Sequence, residues 1–258
     1  MEMEKASREY YQLNFDIGTT LNCGECFCWR PDETGYHAVL GGKMRHLSQN
    51  DTIKKGSFLF HYLDLDYDYE GVVQEIAAMD PLLQQAVEQQ GILHILNQDL
   101  WETIIGFILS QNNNIKRIMG LYDTLSLSYG TPVDGGYTFP TPSQMKGVTE
   151  AELRELRLGF RAGYVLDAIQ RSDELLSLKE KSFDEADAVL QKTKGIGPKV
   201  SACIRLFGLH DLSSFPQDVW IKRVMREYFQ GKDENSFAPY QGLAQQYLFT
   251  WIRNNSQR

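Results

Sequence analysis

The five residues KGIGP at 194–198 set the tightest limit on how this chain can fold. DEADAVLQKT before them and KVSACIRLFGL after them both carry apolar residues at helical spacing. So short a link between two helices leaves room only for a tight turn. Gly195 and Gly197 accept positive φ and let another backbone come close. Pro198 suits the first position of the second helix. The pattern predicts a helix–hairpin–helix whose turn exposes backbone N–H groups at a helix N-terminus. Such groups form a phosphate site, and Lys194, Gly195 and Gly197 are its candidate contacts. A glycine turn alone also fits helical hairpins with no such role.

Lys199 stands on the first turn of the second helix. The positive end of a helix disfavours an ammonium there. A lysine amine is a nucleophile only when neutral, so this position suits one. The plain alternative is a surface lysine donating to a phosphate. Asp218, in SFPQDVW, opens another helix. A helix from 199 to about 209 rises roughly 16 Å. The segment 210–217 spans up to about 27 Å when extended, so the chain is able to return Asp218 towards Lys199. Asp218 is also a good N-cap. A capping carboxylate is held as a rigid anion, which suits stabilising a developing cation.

The net charge of −8 taken alone argues against a polyanionic partner. Residues 191–229, however, carry seven Lys/Arg against three acids, leaving −12 on the remainder. Much of that acid lies early in the chain, as in LDLDYDYEG at 63–71. The four cysteines, Cys23, Cys26, Cys28 and Cys203, form neither a disulfide framework nor a four-ligand metal set. We expect reduced thiols, no metal and no cofactor. No run of about 18 apolar residues predicts a membrane span. The N-terminal MEMEKASREYYQ lacks an apolar signal core. The expectation is a cytoplasmic protein that is not secreted, nucleoid-associated if bacterial.

Residues 10–60 hold short runs such as YHAVL and GSFLF separated by turn signals, and read as antiparallel strands. From about residue 72 the spacing becomes helical, through VVQEIAAM, PLLQQAVEQQG, DLWETIIGFILSQ and NIKRIMGLYDTLSLSYG. A turn-rich connector at 130–144 precedes further helices, among them RAGYVLDAIQRSDELLSL, DVWIKRVMREYF and APYQGLAQQYLFTWIRNN. TEAE at 149–152 has capping-box spacing. The predicted class is α+β, an antiparallel β N-terminal domain plus two helical subdomains flanking a cleft. The expected parts are 1–97, 98–198 ending in the hairpin, and 199–258.

GIGPKVSAC, with an Asp in FPQDV 19 residues after its Lys, resembles the helix–hairpin–helix–GPD superfamily of DNA glycosylases, nearest its 8-oxoguanine glycosylase/AP lyase branch. SQNNNIKRI at 110–118, LGFRAGYV at 158–165, LNCGECFCW at 21–29 and PYQGLAQQYLF at 239–249 are similar to further family segments. In LNCGECFCW the family pattern has a glycine before a short polar–aromatic strand. The resemblance implies a monomer that acts on double-stranded DNA containing an oxidised purine. The damaged base is flipped out of the duplex into a pocket. Lys199 would attack the sugar C1′ and Asp218 would stabilise the positive charge on the sugar. The Gly24 carbonyl would meet the N7–H that 8-oxoguanine has and guanine lacks. Gln245 would bond the base edge, Phe249 would stack on it, and Cys203 and Phe207 would line the pocket. Asn112 would fill the duplex gap and Phe160 would wedge beside the orphaned base. Arg117 and Arg161 would read that base, expected to be cytosine.

The chain departs from the animal-type pattern at Trp220 (commonly His), Phe160 (Tyr), Phe207 (Met) and Lys194 (Pro). Trp220 bears on the contacts near Asp218; Phe160 keeps a wedge without a hydroxyl. Two other readings stay open: the same chemistry on another oxidised or ring-opened purine, and a non-catalytic helix–hairpin–helix DNA-binding module. An endonuclease-III-like reading is weaker, since the usual C-terminal four-cysteine cluster is absent from the sequence.

Overall fold

The computed structural model describes residues 9–255; residues 1–8, part of the charged start read above, lie outside the described residues. In chain order the elements begin with β1 (Tyr10–Gln12), α1 (Ile17–Asn22), β2 (Arg30–Pro31), β3 (Tyr36–Leu40), β4 (Lys43–Leu47), β5 (Thr52–Lys54) and α2 (Phe58–Tyr62). They continue with α3 (Tyr69–Met79), α4 (Pro81–Gln90), α5 (Leu100–Ser110), α6 (Ile115–Tyr129), β6 (Pro132–Val133) and β7 (Gly136–Tyr137). The last are α7 (Glu150–Glu155), α8 (Arg161–Gln170), α9 (Ser172–Leu176), α10 (Phe183–Leu190), α11 (Pro198–Gly208), α12 (Val219–Tyr228) and α13 (Gln241–Asn255). Short 3-10 turns lie at Ser177–Glu180 and Glu234–Phe237. The α+β class stands, with small antiparallel sheets in the N-terminal part.

The chain divides into two compact units. The first holds residues up to Glu25, Gln49–Asn97 and those from His210 on; the second holds Cys26–Ser48 and Gln98–Leu209. Helices α10 and α11 lie in the second unit, α12 and α13 in the first.

In the first unit β1 pairs antiparallel with β5, Tyr11 opposite Ile53. Helices α3 and α4 form a hairpin and α13 packs on α4 and α12. Ile76, Leu83, Leu93, Leu96, Phe237 and Tyr247 are fully buried there. His94 lies between Phe15 and Tyr69, stacked at 3.9 and 4.0 Å between ring centroids, with Nδ1 bonded to the Leu63 carbonyl. In the second unit β2, β3 and β4 form a meander, and α5 is the central helix, in contact with α6, α8 and α11. Leu100, Ile104, Ile105, Ile108 and Leu109 make α5 apolar on nearly every side, which is why it is buried along almost its whole length.

Two helices stand where strands were expected. GSFLF forms α2, because Ser57 accepts from Phe60 N–H and starts a helix. Asp16 does the same for α1. LNCGECFCW also differs: no strand follows Gly24 directly, and residues 23–29 are irregular until β2 begins at Arg30. The run RAGYVLDAIQRSDELLSL is broken after Gln170 into α8, α9 and a 3-10 turn. The capping box at Thr149–Glu152 is present, and Ser182–Glu185 forms a second. Among the described residues no helix is long and apolar enough to cross a membrane.

Candidate active site

The predicted hairpin is α10, a turn at 191–197 and α11, with Pro198 at the first helical position. The two glycines of the turn differ. Gly195 has φ +85, and a Cβ there would lie 2.3 Å from the Tyr164 ring. Only glycine fits both the backbone and the space. Gly197 has φ −94, is exposed, and has open space where a Cβ would stand. It is the N-cap of α11, with no side chain capping the helix. The first N–H groups of α11 are therefore left for water or a ligand. Lys194 is exposed, and its backbone N–H donates to Asp167 Oδ2 at 2.8 Å, anchoring the turn on α8. Ser201 Oγ donates to Asp187 Oδ1 at 2.6 Å and ties the two arms together.

Lys199 is half-buried on this turn, with Nζ 5.7 Å from the centre of the Phe107 ring. Lys199, Cys203 and Phe207 follow at four-residue spacing and share one face of α11. Cys203 and Phe207 are buried, and Phe207 stacks on Phe107 at 5.5 Å. Phe107 in turn meets the edge of Phe27 at 5.6 Å. The amine thus sits at the open end of an aromatic row. Phe107 was not among the predicted site residues, since an apolar residue in an apolar helix carries no distinguishing signal.

The three asparagines after α5 have separate tasks. Asn113 Nδ2 donates to the Leu109 carbonyl at 3.0 Å and closes α5. Asn114 caps α6 by accepting from Arg117 N–H at 2.9 Å. Asn112 is left exposed, at φ +47, with its side chain free of either capping role. Arg161, expected as a base reader, is buried. Its Nε donates to the Gln111 carbonyl at 2.9 Å; its Nη2 donates to that carbonyl and, at 3.0 Å, to Asn112 O. The guanidinium lies 4.4 Å from the centre of the Phe160 ring. Burial first, then the neighbouring charge of Arg117, lower the Arg161 pKa. Phe160 is 44% exposed, high for a phenylalanine, and Arg117 is exposed on the first turn of α6. Asn112, Arg117, Phe160 and Arg161 therefore form one patch.

Asp218 belongs to the first unit and caps α12. Its Oδ1 accepts from Trp220 N–H at 3.0 Å and Ile221 N–H at 2.8 Å. Both bonds fall on the same oxygen, so the half-buried carboxylate is fixed in direction while Oδ2 has no protein hydrogen bond among the described residues. Trp220, next in the chain, is 36% exposed.

The remaining predicted residues form a group in the same unit. Gly24 has φ +98, and a Cβ there would stand 3.4 Å from Phe249 Cε1. Phe249 is half-buried on α13, with the Arg253 guanidinium 5.2 Å from its ring centre. Gln245, one turn earlier, is 4% exposed, and its Oε1 is buried with no hydrogen-bond partner in the described residues. A buried amide oxygen without a partner costs free energy, so this atom is suited to meet a donor from a ligand. The adjacent Gln246 and Glu25 were not among the predicted site residues; their signal was a pair of glutamines and an acid placed in otherwise apolar surroundings.

The 8-oxoguanine DNA glycosylase N-terminal domain model matches residues 9–104, and that of the HhH-GPD superfamily base excision DNA repair proteins matches residues 105–239. The N-glycosylase/DNA lyase of Saccharomyces cerevisiae is 33% identical over 192 residues, covering 67% of this chain and 51% of the relative. The chain thus spans about half the length of that curated relative. Among solved structures, MBOgg1 in complex with a low affinity DNA ligand is 32% identical with a TM-score of 0.85, covering 94% of this chain and 93% of that one. The Clostridium acetobutylicum 8-oxoguanine glycosylase/lyase, in complex with double-stranded DNA containing cytosine opposite 8-oxoG, is 30% identical with a TM-score of 0.84 and the same coverage. With the hairpin, the capped aspartate and both domain matches in place, this chain belongs to the 8-oxoguanine glycosylase branch of the HhH-GPD superfamily of base excision DNA repair proteins.

Proposed function

We propose that the chain is a bifunctional DNA N-glycosylase and AP lyase that removes 8-oxoguanine opposite cytosine from double-stranded DNA. The observation that carries this reading is Asp218: one carboxylate oxygen is locked by two backbone N–H groups and the other is left open. A cap needs only the first oxygen. A fixed anion is what a positive charge on the deoxyribose needs as the glycosidic bond breaks. In this scheme the Lys199 amine attacks C1′, the C1′–N9 bond breaks, and the base leaves with the electron pair and gains a proton. The sugar ring then opens to a Schiff base between C1′ and Lys199. Loss of a C2′ proton expels the 3′ phosphate and nicks the strand, and water releases the lysine. No step calls for a metal.

The other groups take matching roles. The free Gln245 oxygen, the Phe249 ring and the Gly24 segment receive the everted base. Asn112 and Phe160 enter the gap left in the duplex. Arg117 reads the orphaned cytosine, and Arg161, with two of its nitrogens on main-chain carbonyls, holds Asn112 in place and has only Nη1 left for the base. The exposed turn with Lys194, Gly195 and Gly197 receives a phosphate. Every role is filled from this chain, so a monomer suffices.

Borohydride trapping on a duplex with one 8-oxoguanine:cytosine pair tests the proposal. The expected result is a covalent protein–DNA adduct that vanishes in Lys199→Gln. No adduct with any oxidised or ring-opened purine would leave a DNA-binding module in its place. An adduct only with another lesion would move the substrate while keeping the chemistry.

A further inference from the structure

Gly24 lies in an irregular segment, with neither helix nor strand to fix its peptide. Its backbone conformation, φ +98, gains nothing from the residue itself, because glycine is the least constrained residue. Reading one hydrogen on a base requires the carbonyl to be held within a fraction of an ångström. Something outside the glycine must supply that restraint.

The structure provides it from two sides. Gln246, 2% exposed on α13, donates from Nε2 to the Cys23 carbonyl at 3.3 Å. Glu25, 1% exposed, accepts at Oε2 from Leu96 N–H at 3.1 Å. The residues directly before and after Gly24 are therefore tethered to different parts of the first unit. Cys23 Sγ donates to the Thr20 carbonyl at 2.9 Å, fixing the segment to the end of α1. The two adjacent glutamines of α13 differ in their use. Successive residues point about 100° apart around a helix, so Gln246 reaches the segment while the Gln245 oxygen stays without a protein partner.

We propose that Gln246 and Glu25 are positioning residues for lesion recognition, clamping the peptides on either side of Gly24 so that its carbonyl is presented to the everted base. Neither needs to touch the base. Burial pushes the Glu25 carboxyl up to about 8, so a neutral acid makes these contacts at neutral pH, and a glutamine at 25 supplies the same acceptor. The inference rests on the base-reading role proposed for Gly24.

The test compares single-turnover excision from an 8-oxoguanine:cytosine duplex with binding to a duplex carrying a stable abasic-site analogue. The abasic duplex has no base for Gly24 to meet, so its affinity reports folding and DNA engagement alone. Gln246→Leu removes the donor at similar size and is expected to slow excision about tenfold, the loss of one well-placed hydrogen bond, with abasic-duplex affinity within about twofold of wild type. Glu25→Leu is expected to show the same split, and Glu25→Gln to recover most of the lost rate. Equal losses of excision and abasic binding, or excision unaltered by Gln246→Leu, overturn the proposal. If Glu25→Gln is as slow as Glu25→Leu, the part assigned to Glu25 is overturned. A Gly24→Ala variant separates the layers. Wild-type protein that excises nothing sinks the proposed function and this inference with it. Normal excision by Gly24→Ala removes the role of Gly24 and again the inference. Impaired Gly24→Ala beside an unimpaired Gln246→Leu overturns the inference alone.

Discussion

Gly195 and Gly197 differ by two positions and by their whole physical purpose. At Gly195 the backbone is left-handed and the Tyr164 ring fills the place of a Cβ. Gly195→Ala is expected to lower the unfolding free energy by about 2–4 kcal/mol, from the backbone and the displaced ring together. Urea denaturation measures it, and a change under about 0.5 kcal/mol would show that the turn can relax. At Gly197 neither constraint holds. Gly197→Ala is expected to cost no more than about 1 kcal/mol of stability, the difference between these residues at an N-cap. It should nevertheless weaken duplex binding about tenfold, because the methyl stands where the proposed phosphate would meet the first N–H groups of α11. Unchanged affinity would remove Gly197 from the phosphate site. The same division appears in the asparagines: 113 and 114 serve helix ends, and the side chain of 112 takes neither capping role.

At the scale of elements, several of the candidate residues stand at helix ends. Asp218 starts α12, Gly197 starts α11, and Asn112 to Asn114 join α5 to α6. This is also why much of the site was legible in the sequence: caps and turns are local and use few residue types. Where local signals conflicted, the reading failed. GSFLF has strand-like composition, yet the Ser57 cap turns it into α2. Asn and Asp are equivalent N-caps. Asp218→Asn should therefore leave stability within about 0.5 kcal/mol, while excision falls about 10²–10³-fold and duplex binding holds. Asp218→Ala should lose about 1 kcal/mol in addition. Stopped single-turnover assays beside thermal melts distinguish the roles; parallel losses of rate and binding in Asp218→Asn would reduce Asp218 to a cap.

Across the whole molecule, buried ionisable groups set the response to pH. Glu25 titrates at about 8 in the folded chain against an ordinary 4.5, because burial disfavours its anion. The folded state therefore holds a proton that the unfolded state has released, and stability falls as pH rises from about 4.5 to about 8. His94 acts at the other end. Burial between Phe15 and Tyr69 lowers it from 6.5 to about 4, so stability falls as pH drops through that window. Glu25→Gln removes the first effect. Its melting temperature is expected to gain on that of the wild type between pH 5 and pH 8. A constant gap across that range would show that Glu25 is ionised or solvated in the folded protein.

The sequence by itself determined the helix–hairpin–helix, the Lys199 and Asp218 positions at helix starts, the α+β class and the family, since each rests on short-range patterns of glycine, proline, caps and periodicity. Only the tertiary structure decided that Arg161 is buried on main-chain carbonyls, that Phe107 lies beneath Lys199, and that Gln246 and Glu25 grip the segment around Gly24. Those contacts join residues far apart in the chain, and no local pattern specifies which buried polar atom will find which distant partner.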